Sequence, residues 1–176
     1  IVTEVGAQVV AQARRTLEEA ARVTAVAKQG RNPLAGVLRL GVIHTIAPYL
    51  LPALVGVLRR LAPLMPLDIE ENMTANLERM LKAGEVDVAI LALPFDSPGL
   101  ETLAVYDEEF HVVVPAGHAL ARRRRVPAGA LDTEELLLLP AGHCLRDQVL
   151  GTCTEFSRAP PPGRQGNSLE TLRSMV

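Results

Sequence analysis

Val37-Leu38-Arg39-Leu40-Gly41-Val42-Ile43 reads as a β-strand, and the segments on its C-terminal side decide the fold. Thr45 to Leu61 carries apolar residues at helical spacing, with Pro48 and Pro52 expected to disturb its first turns. Leu67-Asp68-Ile69-Glu70 alternates as a second strand, and Thr74 to Ala83 is a second helix with Gly84 as its stop. Val86 to Leu93 is a third strand, nearly all apolar, as a strand buried on both faces should be. Strand–helix–strand–helix–strand order implies right-handed crossovers on a parallel sheet, so the expected class is α/β.

Toward the N-terminus, Val2, Val5, Val9, Ala13, Leu17, Ala20 and Val26 mark one stripe of an amphipathic helix over residues 1–29. At 1.5 Å per residue it is about 40 Å long. Gly30 and Asn32-Pro33 end it. A helix this long, set off by a Gly/Pro break, is expected to pair its stripe with another chain rather than with its own domain. The chain opens at Ile1 already in helical periodicity and stops at Val176 inside a freshly started helix, as a fragment of a longer protein would.

Toward the C-terminus, Pro94 to Gly99 is turn chemistry. Leu103 to Tyr106 and Phe110 to Val114 read as strands about the acidic Asp107-Glu108-Glu109, crossing from a first lobe to a second. Gly117 to Ala130 is a loop or short helix whose Arg122-Arg123-Arg124-Arg125 is expected at the solvated surface, since no aromatic residue or wider basic stripe supports a phosphate site. Glu135 to Leu139 is a further strand, Pro160 to Gly163 a break, and Asn167 with Glu170 a capping-box start for a last helix. No strand follows that helix, so the second lobe is incomplete. The expected division is 1–30, 36–106 and 107–176.

The 176 residues are 48% hydrophobic and 22% charged, a globular composition. A net charge of −2 argues against nucleic-acid binding by this piece alone. No apolar run is long enough to span a membrane. Two cysteines are too few for a secreted disulfide scaffold, which places the chain in a reducing cytoplasm.

Those cysteines share one segment, Gly142-His143-Cys144-Leu145-Arg146-Asp147-Gln148-Val149-Leu150-Gly151-Thr152-Cys153. If residues 145–155 are helical, nine positions turn the chain through about 900° and separate the two Cα atoms by roughly 13 Å. A disulfide needs them within about 7 Å. The pair either never bridges or bridges by unwinding its own helix. Cys144 has the surroundings of a reactive thiol: a helix N-terminus favours thiolate, His143 and Arg146 offer charge or hydrogen bonds, and Asp147 offers an acceptor. Cys153, among Val149, Leu150 and Phe156, is expected to pack. The alternative for Cys144 is a buried, inert thiol. Thr45 and Thr74 each follow a strand and open a helix, where ligands of open parallel sheets collect. Each also suits a plain N-cap role. His111, His118, His143 and the cysteines lack zinc-site spacing, and no hydrolase or nucleotide motif is present, so no metal or cofactor is expected.

The 38–93 segment resembles the effector domain of LysR-type transcriptional regulators. The Gly142 to Gln148 run with Cys153, Ser168-Leu169-Glu170-Thr171-Leu172-Arg173 and Ala47-Pro48-Tyr49-Leu50-Leu51-Pro52 resemble the peroxide-sensing members of that family. The resemblance covers essentially the whole chain, and the cysteine motif is its specific part. It implies two Rossmann-like lobes of the periplasmic-binding-protein type, preceded by a linker helix that pairs subunits into a homodimer or tetramer. It further implies an N-terminal winged helix-turn-helix reading promoter DNA, RNA polymerase as a partner, and no enzyme activity. Cys144 would be the peroxidatic cysteine and Cys153 its resolving partner, joined as a Cys144–Cys153 disulfide by hydrogen peroxide and reset by a thioredoxin- or glutaredoxin-type reductant. Thr45, Thr74, His143, Asp147 and Arg146 would hold peroxide and tune the thiol. The sequence departs from the family at His44, where proline is usual. Two other readings remain: a LysR-type domain sensing a small organic ligand with incidental cysteines, and a thiol peroxidase.

Overall fold

A computed structural model describes residues 3–29, 32, 34–131, 134–152 and 166–176. Helix α1 runs Glu4–Gln29. Thr3 starts it, its Oγ1 accepting a hydrogen bond from the Gly6 N–H at 3.1 Å. Val5, Val9 and Leu17 on this helix are 69%, 62% and 71% exposed, so these stripe positions face solvent in the single chain. The expected stops at Gly30 and Pro33 lie outside the described residues.

Strand β1 (Leu38–Ile43), helix α2 (Ala47–Leu61), strand β2 (Leu67–Asn72), helix α3 (Thr74–Ala83) and strand β3 (Val88–Ile90) follow in the expected order. The sheet is parallel throughout, ordered β2-β1-β3. Leu38 lies opposite Leu67 and Ile43 opposite Asn72, while Leu40 to Val42 pair with Val88 to Ile90. Pro48 falls in the first turn of α2, where its missing N–H is not needed, and Pro52 is carried inside the helix. Gly84 stops α3 with φ +70°.

Strand parity sets the core. Leu40 and Val42 point to one face and pack with Ala47, Ile46, Leu51, Leu54 and Ile90. Gly41 points to the other, where a Cβ would sit 2.8 Å from Leu77 Cδ2 of α3. Leu77 has no exposed surface. Gly41→Val is therefore expected to destabilise the chain by about 1–3 kcal/mol through overpacking, read as a lower urea midpoint.

Five expectations need correction. The apolar 86–93 segment is not a strand buried on both faces: β3 is three residues long, stands at a sheet edge, and leaves Val88 43% exposed. Residues 103–106, 110–114 and 135–139 form no strands. A strand exists by pairing, and among the described residues none offers these segments a ladder; Leu103 is 84% exposed and Val105 82%. Finally, helix α5 (Leu169–Ser174) is capped by Ser168, whose Oγ accepts from the Thr171 N–H at 3.3 Å, not by Asn167; Glu170 instead pairs with Arg173 at 2.7 Å.

Between β3 and helix α4 (Cys144–Thr152) lie two 3-10 turns, Ala119–Arg122 and Ala128–Leu131. Leu120 and Leu131 form a small cluster there with Val114, Val126, Ala128 and Leu136. His118 caps the first turn through Nδ1, and its Nε2 lies 3.4 Å from Glu134. Arg122 to Arg125 are all exposed, as expected of a solvated run. The chain divides into two compact units, Ile1–Asn72 with Asn76–Ile90, and Met73–Ala75 with Leu91–Val176. No helix among the described residues is long and apolar enough to cross a membrane.

Candidate functional site

Pro140 and the Ala141-Gly142 turn deliver the chain into α4. Gly142 adopts φ +97°, a backbone shape L-residues rarely take. Its bare Cα also seats a neighbour: a Cβ there would lie 3.1 Å from Met73 Sδ. His143 follows with 6% exposure, and the half-buried Cys144 is the first residue of the helix, a free thiol. The Arg146 N–H donates to the His143 carbonyl at 3.0 Å, closing the first turn.

No residue of the nine in α4 is buried. Side-chain tethers stand in for a core. Arg146 Nη1 donates to the Leu139 carbonyl at 3.0 Å, and Gln148 Nε2 donates to the Leu93 carbonyl at 2.6 Å. Arg146 thus braces the helix against the segment before it. Asp147 lies on the exposed side of the first turn. Sequence reasoning misses Gln148; its spacing carries no signal, because its acceptor is a backbone carbonyl 55 positions away. Arg146→Ala and Gln148→Ala are each expected to weaken α4 by about 1 kcal/mol. Amide exchange over 145–152 should then quicken roughly fivefold, with unchanged exchange in β1.

Thr74 is the first residue of α3 and belongs with the unit that contains Cys144. Its Oγ1 is buried and has no hydrogen-bond partner among the described residues, so it does not act as a cap. Thr45 lies half-buried in the turn before α2, in the other unit. It is not a cap either: the N-cap of α2 is Ile46, which has no side-chain cap bond. His44 beside it is exposed. Thr74, His143, Cys144, Arg146 and Asp147 thus fall in one unit, while Cys153 lies outside the described residues. No cluster of three or more metal-ligating side chains exists among the described residues.

The profile of the LysR substrate binding domain matches residues 31–176. The chain belongs to the LysR substrate-binding-domain family. A probable hydrogen peroxide-inducible genes activator of Mycobacterium avium is 41% identical over 152 residues, which are 86% of this chain and 49% of that protein. The reduced form of the OxyR regulatory domain from Pseudomonas aeruginosa matches with TM-score 0.71 and 44% identity, covering 81% of this chain and 68% of that one. A hydrogen peroxide-bound cysteine-to-serine mutant of OxyR from Corynebacterium glutamicum matches with TM-score 0.80 and 34% identity, covering all of this chain and 56% of that one. The parallel sheet of this LysR-family chain is therefore part of the periplasmic-binding-protein-like fold of OxyR regulatory domains. The chain spans about half the length of the curated relatives it matches.

Proposed function

We propose that this chain is the hydrogen peroxide-sensing regulatory part of a LysR-type transcriptional regulator. The observation that carries the proposal is the free Cys144 thiol opening α4 directly after the buried His143. The similarity to peroxide-inducible activators supports the same reading.

In the proposed chemistry the Cys144 thiolate attacks one peroxide oxygen and the O–O bond breaks. The other oxygen leaves as hydroxide and takes up a proton to become water. The Thr74 hydroxyl, the N–H groups at the head of α4 and His143 are the donors offered to that departing charge. Thr45 and Asp147 are kept as peroxide-site residues on the resemblance, and Arg146 as a brace of the thiol's helix. The sulfenic acid at Cys144 then condenses with the Cys153 thiol, releasing a second water and forming the disulfide. Cys144 is the first of the nine residues of α4 and Cys153 follows the last in sequence, so bridging requires α4 to unwind. With no buried residue and two side-chain tethers, α4 yields at small free-energy cost.

The remaining assignments extend this reading. Residues 1–30 would pair subunits as a homodimer or tetramer, with 36–106 and 107–176 as the two lobes. Promoter DNA would be read by a winged helix-turn-helix outside this chain, with RNA polymerase downstream. A thioredoxin- or glutaredoxin-type dithiol in the cytoplasm would reset the switch, and the chain would act as a sensor, not an enzyme. One equivalent of hydrogen peroxide should remove both thiols and yield a Cys144–Cys153 cross-linked peptide. Two intact thiols would reject the reading and leave the organic-ligand domain. Rapid repeated turnover with a dithiol would identify a thiol peroxidase.

A further inference from the structure

We infer that Met73 is a second oxidation site of this protein, its thioether taking an oxygen atom from a hydroperoxide admitted beside Cys144. The inference rests on the peroxide-sensing reading and adds to it a site of different chemistry.

Among the four methionines, Met65, Met73, Met80 and Met175, it is Met73 that abuts Gly142 of the turn presenting Cys144. Its Sδ occupies the space that a Cβ on Gly142 would contest at 3.1 Å, two residues before the thiol. The next residue is Thr74, whose buried Oγ1 has no partner among the described residues. An unpartnered buried hydroxyl costs free energy, and a bound ligand is one group that supplies the missing bond. Met73, Thr74 and Ala75 group with the Cys144 unit, whereas α3 from Asn76 onward groups with the other. A polarisable sulfur nucleophile, a hydrogen-bond donor and a peroxide-consuming thiol thus share one unit.

The step balances with peroxide alone. A lone pair on Sδ attacks one oxygen and the O–O bond breaks. The other oxygen leaves as hydroxide, steadied by the Thr74 hydroxyl, and takes the proton from the sulfur-bound oxygen. The products are a sulfoxide and water, with sulfur oxidised by two electrons and peroxide reduced by two. The new oxygen sits on an atom already seated against Gly142, so the turn holding His143 and Cys144 must shift. Dithiols do not undo this mark; a methionine sulfoxide reductase does. Sustained oxidant would then leave a record that outlasts the disulfide.

The test treats the Cys144→Ser chain with hydrogen peroxide, so that the thiol does not consume it, and follows each methionine by peptide mass spectrometry. Exposure alone ranks Met175, 46% exposed, ahead of the half-buried Met73. The expected result is Met73 reacting about tenfold faster than Met175, the factor one hydrogen bond to the departing oxygen supplies. Thr74→Val should bring Met73 down to the Met175 rate, and Thr74→Ser should keep the preference. A Met73 no faster than Met175, or indifferent to Thr74→Val, overturns the inference. Parallel titration of Cys144 in the unaltered chain separates the two failures. Cys144 oxidised without Met73 preference rejects the inference alone, whereas neither reacting rejects the peroxide reading as well.

Discussion

Cys144→Ser is expected to cut peroxide consumption by the chain roughly a hundredfold or more and to abolish the disulfide. The Cys144 sulfur opens α4, and a thiolate rather than the neutral thiol does the attacking. A serine hydroxyl there is close in size and shape but ionises far above working pH, so the loss isolates the nucleophile from the pocket. Competition against a peroxide-reactive dye measures it. Cys153→Ser should behave differently, reacting once and stopping at a trappable sulfenic acid. A Cys144→Ser chain that consumed peroxide within tenfold of the parent would remove Cys144 from the chemistry.

Leu77→Ala is the second large effect, expected to cost about 3 kcal/mol or more. Leu77 is completely buried against the Gly41 face of β1, and truncation leaves a void that the sheet backbone cannot close. Against a total stability of about 5–15 kcal/mol the shift in urea midpoint should be plain. The neighbour supplies a control. Because a Cβ at Gly41 meets Leu77 Cδ2 at 2.8 Å, Gly41→Val should be less harmful in the Leu77→Ala background than alone. Additive losses would show that Leu77 and Gly41 do not share their space as described.

The order of β1, α2, β2, α3 and β3 was legible because each hydrophobic period, 2 or 3.6, agreed with the turn residues beside it. The expectation that Cys144 opens a helix agrees with α4, which begins at Cys144. What sequence could not give were facts about partners. Val86 to Leu93 has the composition of a central strand, but whether a strand is central depends on which strands flank it, and β1 took that place. Leu103 to Tyr106 and Phe110 to Val114 have strand-like side chains, yet β-propensity describes a surface ready to pair and not the pair itself. Thr45 and Thr74 look alike as helix starters. Only the fold separates Thr74, with its unsatisfied hydroxyl, from Thr45, displaced by Ile46 from the cap. Gln148 was invisible because its target is main chain.

The sheet order also governs how the molecule comes into being. β1 is synthesised first, yet both its neighbours are made later, β2 starting at Leu67 and β3 ending at Ile90. At about 5–20 residues per second, the ribosome leaves the central strand of the sheet with at least one open edge for roughly 2–10 seconds. During that interval Leu40, Val42 and Ile43 are available to any other strand, native or foreign. The nascent chain should therefore be a client of ribosome-associated chaperones until residue 90 has cleared the exit tunnel, and slowing translation between β1 and β3 should raise the aggregated fraction.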